Sequence, residues 1–176
     1  MNREWTRLAS WGLGGLFLCW LALAGCSSGP EQGPVPVRWD QQACERCGMV
    51  LSDRRYAAEI REPLAGDRSR VHFFDDFGCA VLWLADKPWR GDSRTEFWVK
   101  DWRNGHWIDA RHATYITGKH TPMDYGLAAQ SDPAPGGLTY RQAVARVQAV
   151  EEKGAHAIHH GEAGHLESIA PGSRGP

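Results

Sequence analysis

The segment Cys44-Glu45-Arg46-Cys47-Gly48-Met49 gathers three sulfur side chains into one short stretch of chain. Two thiols and a thioether make a soft ligand set, which favours Cu(I) over harder ions, whereas zinc sites rarely use methionine. A Cys-x-x-Cys pair also serves two other chemistries, thiol-disulfide exchange and a plain structural disulfide. An exchange motif of the thioredoxin kind stands at a helix start after a strand. This one follows a Pro-rich segment and precedes the first strand-like stretch. Gly48 lets the backbone turn tightly after Cys47 and brings Met49 round.

Further candidates lie downstream. Cys79 falls in the first turn of an expected helix, where the dipole favours a thiolate; its alternative role is that of a small buried hydrophobe. Met123, in Thr121-Pro122-Met123, sits in a turn context like Met49, and for both the alternative is packing. His72 could turn an imidazole toward a metal or serve as an ordinary strand residue. His156, His159, His160 and His165 form a tail that either binds Cu(II) or Zn(II) loosely or acts as a solvated spacer. Hydrolytic motifs are not evident: the one Gly-x-Ser-x-Gly match, Gly25 to Gly29, straddles the end of the signal segment, and there is no His-Glu-x-x-His and no Gly-rich phosphate loop. Asp75, Asp76 and Asp101 are accounted for by helix capping and turns.

The N-terminus restricts which thiols remain usable. Residues 1–25 read as a secretory signal, with Arg3 and Arg7 ahead of an uncharged apolar stretch from Leu8 to Ala24. The signal ends in Leu23-Ala24-Gly25-Cys26, a lipobox-like tetrapeptide in which Cys26 would be lipidated. This predicts a protein anchored by lipid on the periplasmic side of a bacterial membrane, and Ser27 leans toward the outer membrane. Of five cysteines, Cys19 leaves with the signal and Cys26 carries lipid, so Cys44, Cys47 and Cys79 remain. An odd number of free thiols in an oxidising compartment needs a use or protection. The formal charge of −1 and the lack of a basic stripe exclude nucleic acid as a partner.

The elements that must position these residues can be read in order. Residues 26–38, rich in Ser, Gly, Pro and Gln, read as a flexible tether. Tyr56 to Ile60 and Val71 to Phe74 are strand-like and could pair as a hairpin. Phe77 to Asp86 predicts a short helix with an aspartate N-cap, ended by Pro88. Glu96 to Lys100 and His106 to Asp109 flank Asn104-Gly105, a strong hairpin signal. Ala113 to Thr117 and Met123 to Ala129 are weaker strands. Thr139 and Gln142 fit a capping box for a last helix, with Tyr140, Ala143, Val144, Val147 and Val150 on one face. The pattern is α+β, with a first unit at 39–95, a second at 96–150 and a disordered His-rich tail at 151–176. Trp39, Trp83, Trp89, Trp98, Trp102 and Trp107 supply bulk for a packed core.

The lipobox, Cys44-x-x-Cys47-Gly48-Met49, Phe74-Asp75-Asp76-Phe77-Gly78-Cys79, Val99-x-Asp101, Trp107-Ile108-Asp109-Ala110 and Thr121-Pro122-Met123 occur in that order. Together they resemble the NosL family, copper-binding lipoproteins associated with assembly of nitrous oxide reductase. The resemblance spans residues 44 to about 150. It implies two small ββαβ units, similar to organomercurial lyase. It further implies Cu(I) binding in the periplasm for delivery to nitrous oxide reductase or its maturation machinery, with no enzyme activity. The sulfur ligands it carries over are Cys44, Cys47, Met49 and Met123; Cys79 and His72 stay possible metal ligands on the residues alone. The alternative from the residues themselves is a thiol-disulfide exchange lipoprotein using Cys44 and Cys47.

Overall fold

Among the described residues the chain forms six short strands and two helices. In the computed structural model, residues 32–63 and 69–167 are described, with side chains to residue 154, so the signal segment and Cys26 lie outside them. The strands are β1 (Ala58–Arg61), β2 (Val71–Phe74), β3 (Glu96–Lys100), β4 (Trp107–Asp109), β5 (Thr114–Thr117) and β6 (Leu127–Gln130). The helices are α1 (Phe77–Ala85), between β2 and β3, and α2 (Tyr140–Glu167), after β6. The architecture is α+β.

β1 and β2 form the expected hairpin, antiparallel with Ala58 opposite Phe74. β3 then pairs with the free edge of β1, so α1 carries the chain across the sheet, and β4 completes the order β2-β1-β3-β4. Position 96, where the second unit was expected to begin, therefore starts a strand of the first sheet. β5 and β6 form a separate two-stranded sheet. The first ββαβ set is β1-β2-α1-β3; the second group, β5-β6-α2, ends in its helix. The described residues belong to one compact unit.

Opposite residues on neighbouring strands share a face. Ala58, Ile60, Phe74, Phe97 and Val99 thereby build one apolar face. α1, whose sequence Phe-Gly-Cys-Ala-Val-Leu-Trp-Leu-Ala is apolar all round, is largely buried, as such a helix must be, with Leu82 and Trp83 half-buried. Asp76 is its N-cap, accepting the Gly78 N–H at 2.9 Å. Phe77 joins the layers, its ring 5.8 Å from that of Phe97 and 4.4 Å from that of Tyr115.

The other sheet face carries Glu59 and Arg61, and the chain before Trp39 lies across it. Glu59 accepts the Val35 N–H at 2.9 Å, Glu96 accepts the Gly33 N–H at 2.7 Å, and Arg61 donates to the Gly33 carbonyl at 2.7 Å. The end of the expected tether is therefore docked. Backbone groups there, with no strand partner of their own, are satisfied by charged side chains of the sheet.

The link between the two sheets is Asp101, wholly buried, which forms a parallel bridge with Ala129 and accepts the Ser131 N–H at 2.9 Å and Arg103 Nη2 at 2.8 Å. The Arg103 guanidinium beside it holds its carboxyl well below the usual range. The hairpin after it closes with Asp101 N–H to the His106 carbonyl, and Gly105 has φ 74°. A two-residue type I′ turn would need Asn104 at positive φ as well, and among the described residues only Asp40 and Asp124 are non-glycine residues there. The turn is the longer kind. α2 begins with the expected capping box: Thr139 donates its N–H to Gln142 Oε1 at 2.9 Å. It buries Ala143 and Val147 but leaves Val150 exposed, and it continues beyond Lys153 to Glu167, where the sequence predicts disorder.

Candidate metal centre

Cys44 to Met49 folds into a tight turn. Cys44 donates its N–H to the Met49 carbonyl at 2.8 Å, Gly48 donates to the Cys44 carbonyl at 3.0 Å, and Gly48 adopts φ 76°, the left-handed conformation that glycine permits. A further bond from the Glu45 N–H to the Phe73 carbonyl at 2.9 Å pins the turn to β2. The next residues after β2 are Asp75 and Asp76, and α1 then brings Cys79 in at its first turn. Strand pairing, turn and helix thus converge at one point.

There, one ligand atom from each of Cys44, Cys47, Asp75 and Cys79 lies within 4.8 Å of all the others. All three cysteines are free thiols. Cys44 and Cys79 are buried and Cys47 is half-buried, so the cluster opens to solvent on the Cys47 side. Cys47 Sγ lies 3.4 Å from Asp75 Oδ2, donating to the carboxylate.

The environment divides the thiols. The Cys79 thiol donates to Cys44 and holds it well below the usual thiol value, against the effect of burial; backbone N–H groups of Cys47, Asp75 and Arg46 add to this. The same bond raises Cys79, with burial adding to it. Burial pushes Cys47 up to about 11 and Asp75 up to about 6. A metal entering the cluster would displace the thiol protons that remain. Three sulfurs and one oxygen in a largely buried site fit a soft cation better than a hard one.

The structure joins Cys44 and Cys47, as the sequence suggested, to Cys79. Met49 remains 47% exposed beside the cluster. Met123 packs partly buried against the core, and its N–H donates to Asp76 Oδ2 at 3.2 Å, which fixes the Thr121-Met123 turn at the start of α1. His72 is held elsewhere. Its Nε2 is 2.6 Å from Glu62 Oε1, its Nδ1 3.4 Å from Glu45 Oε1, and its ring lies 4.3 Å from that of Trp83. Asp75 is the cluster member that the sequence assigned to helix capping or a turn. The signal was present: a helix needs one N-cap, Asp76 supplies it, and the preceding carboxylate is then free for another use.

The model of the NosL family matches residues 34–134. No curated protein matches the chain. Among solved structures, the copper chaperone NosL from Shewanella denitrificans is similar at 18% identity and a TM-score of 0.46, over 68% of this chain and 88% of that one.

Proposed function

Because this chain belongs to the NosL family, we propose that its thiol cluster carries copper, as Cu(I), and hands it on by ligand exchange. The observation that supports this reading most is the convergence of Cys44, Cys47 and Cys79 with Asp75 within 4.8 Å. Thiolates are soft donors and hold Cu(I) tightly. A carrier must also let go, and the half-buried Cys47, with Met49 exposed next to it, gives an incoming ligand a side from which to approach. Met123, held at the start of α1, is a thioether within the same part of the fold.

The copper would be cargo and the protein not an enzyme. We place it on the periplasmic side of a bacterial membrane, tethered through Cys26 in the outer rather than the inner membrane. From there it would supply nitrous oxide reductase or its maturation machinery. Titration of reduced protein with Cu(I) against a chromogenic chelator tests the carrier. Binding of one equivalent that is lost in Cys44→Ser, Cys47→Ser and Cys79→Ser supports it, while unchanged binding in all three overturns the ligand set. Turnover in an insulin-reduction assay without copper uptake would instead favour thiol-disulfide exchange by Cys44 and Cys47.

A further inference from the structure

The two residues enclosed by Cys44 and Cys47 are tied to opposite sides of the loop. Glu45 faces β2, with its carboxylate 3.4 Å from His72 Nδ1 and 3.7 Å from Arg70 Nη2. Arg46 faces α2. Its Nη2 donates to Glu151 Oε1 at 2.5 Å and its Nη1 to the Tyr125 hydroxyl at 3.2 Å. That hydroxyl donates in turn to Glu151 Oε2 at 2.8 Å. Glu151 therefore receives one bond at each carboxylate oxygen, and the three residues close a ring.

This ring touches both halves of the cluster. Arg46 is the residue before Cys47, and the Tyr125 ring covers Gly78, the residue before Cys79. A Cβ at Gly78 would come within 2.1 Å of Tyr125 Cδ2. Tyr125 itself is only 4% exposed, so the phenol is a fixed post between loop and helix. The Arg46–Glu151 pair is more open, with side chains 28% and 44% exposed, and a pair of that kind adds little to fold stability. Its effect is local: it holds down the loop that carries the half-buried thiol.

We propose that Arg46, Tyr125 and Glu151 form a latch that positions the Cys44–Cys47 loop over Cys79 and sets how fast metal leaves the cluster. The three are positioning residues and supply no ligand atom. Opening the latch lets Cys47 swing outward while Cys44 and Cys79 stay in place, which exposes the metal to an acceptor. The metal-release part of this proposal rests on the copper-carrier reading, whereas the loop-positioning part does not.

The test uses the full chain in two states. In the metal-free protein, the alkylation rate of Cys47 by iodoacetamide is followed by mass spectrometry. In the Cu(I)-loaded protein, transfer to bathocuproine disulfonate is followed by stopped flow. Glu151→Gln and Tyr125→Phe should each raise both rates roughly threefold or more. The charge-reversed double variant Arg46→Glu with Glu151→Arg should return them to within about twofold of the parent, a rescue that mere loss of packing would not give. Unchanged rates in both single variants, or a double variant no slower than Glu151→Gln, would overturn the latch. A parent chain that takes up no Cu(I) removes the carrier reading, and the alkylation rates then decide the latch alone.

Discussion

The Asp76 carboxylate joins two segments 47 residues apart by accepting the backbone N–H of Met123 at 3.2 Å. Its other oxygen caps α1 through Gly78. One buried side chain thus orients the helix that presents Cys79 and fixes the turn that carries Met123. Asp76→Ala removes a helix cap and leaves the Met123 N–H without its acceptor. The expected loss is about 2–3 kcal/mol of stability. Chemical denaturation of the metal-free protein measures it, and Cu(I) affinity should fall in parallel. A loss below about 0.5 kcal/mol would mean that Asp76 does not join the two segments.

Gly78 has no room for a side chain, because a Cβ would sit 2.1 Å from the Tyr125 ring. Gly78→Ala must therefore displace an aromatic ring that is itself hydrogen-bonded to Glu151. Overpacking of this kind costs about 2–3 kcal/mol. Thermal unfolding should show a clear drop in midpoint, with faster alkylation of Cys47 as the loop loosens. An unchanged midpoint would contradict the packing described.

Glu59 is buried on the sheet under the N-terminal segment, and burial raises its carboxyl from 4.5 to about 7. Between those two values the folded protein binds more protons than the unfolded chain, so stability falls as pH rises through that window and levels off above it. Glu59→Gln should remove this contribution and stabilise the protein at pH 8 by on the order of 2–3 kcal/mol, with little change at pH 4. Denaturation midpoints of parent and variant across that range check it. A difference that does not vary with pH, or that shrinks as pH rises, would contradict it.

Local rules made much of the fold legible. α1 was bounded by Asp76 and the residues before Pro88, β3 by alternation, and the start of α2 by Thr139 and Gln142, because each signal lies within a few residues of what it specifies. The misread parts depend on distant partners. Gly33 and Val35 look unstructured until Glu59 and Glu96 reach them across the sheet. For His72 the sequence leaves two roles open, and its Nε2 lies 2.6 Å from Glu62 Oε1, ten residues earlier in the chain. The site followed the same division. Cys44, Cys47 and Met49 stand out by spacing, whereas Cys79 and Asp75 join them only because β2 pairs with β1 and the Cys44–Cys47 turn is pinned to Phe73.

The most direct test of the copper-carrying cluster is X-ray absorption at the copper edge on reduced, Cu(I)-loaded protein. The account predicts a nearest shell made of sulfur, which loses sulfur when Cys47→Ser and Cys79→Ser are combined. A nearest shell of nitrogen or oxygen alone, or a spectrum unchanged in that double variant, would contradict it.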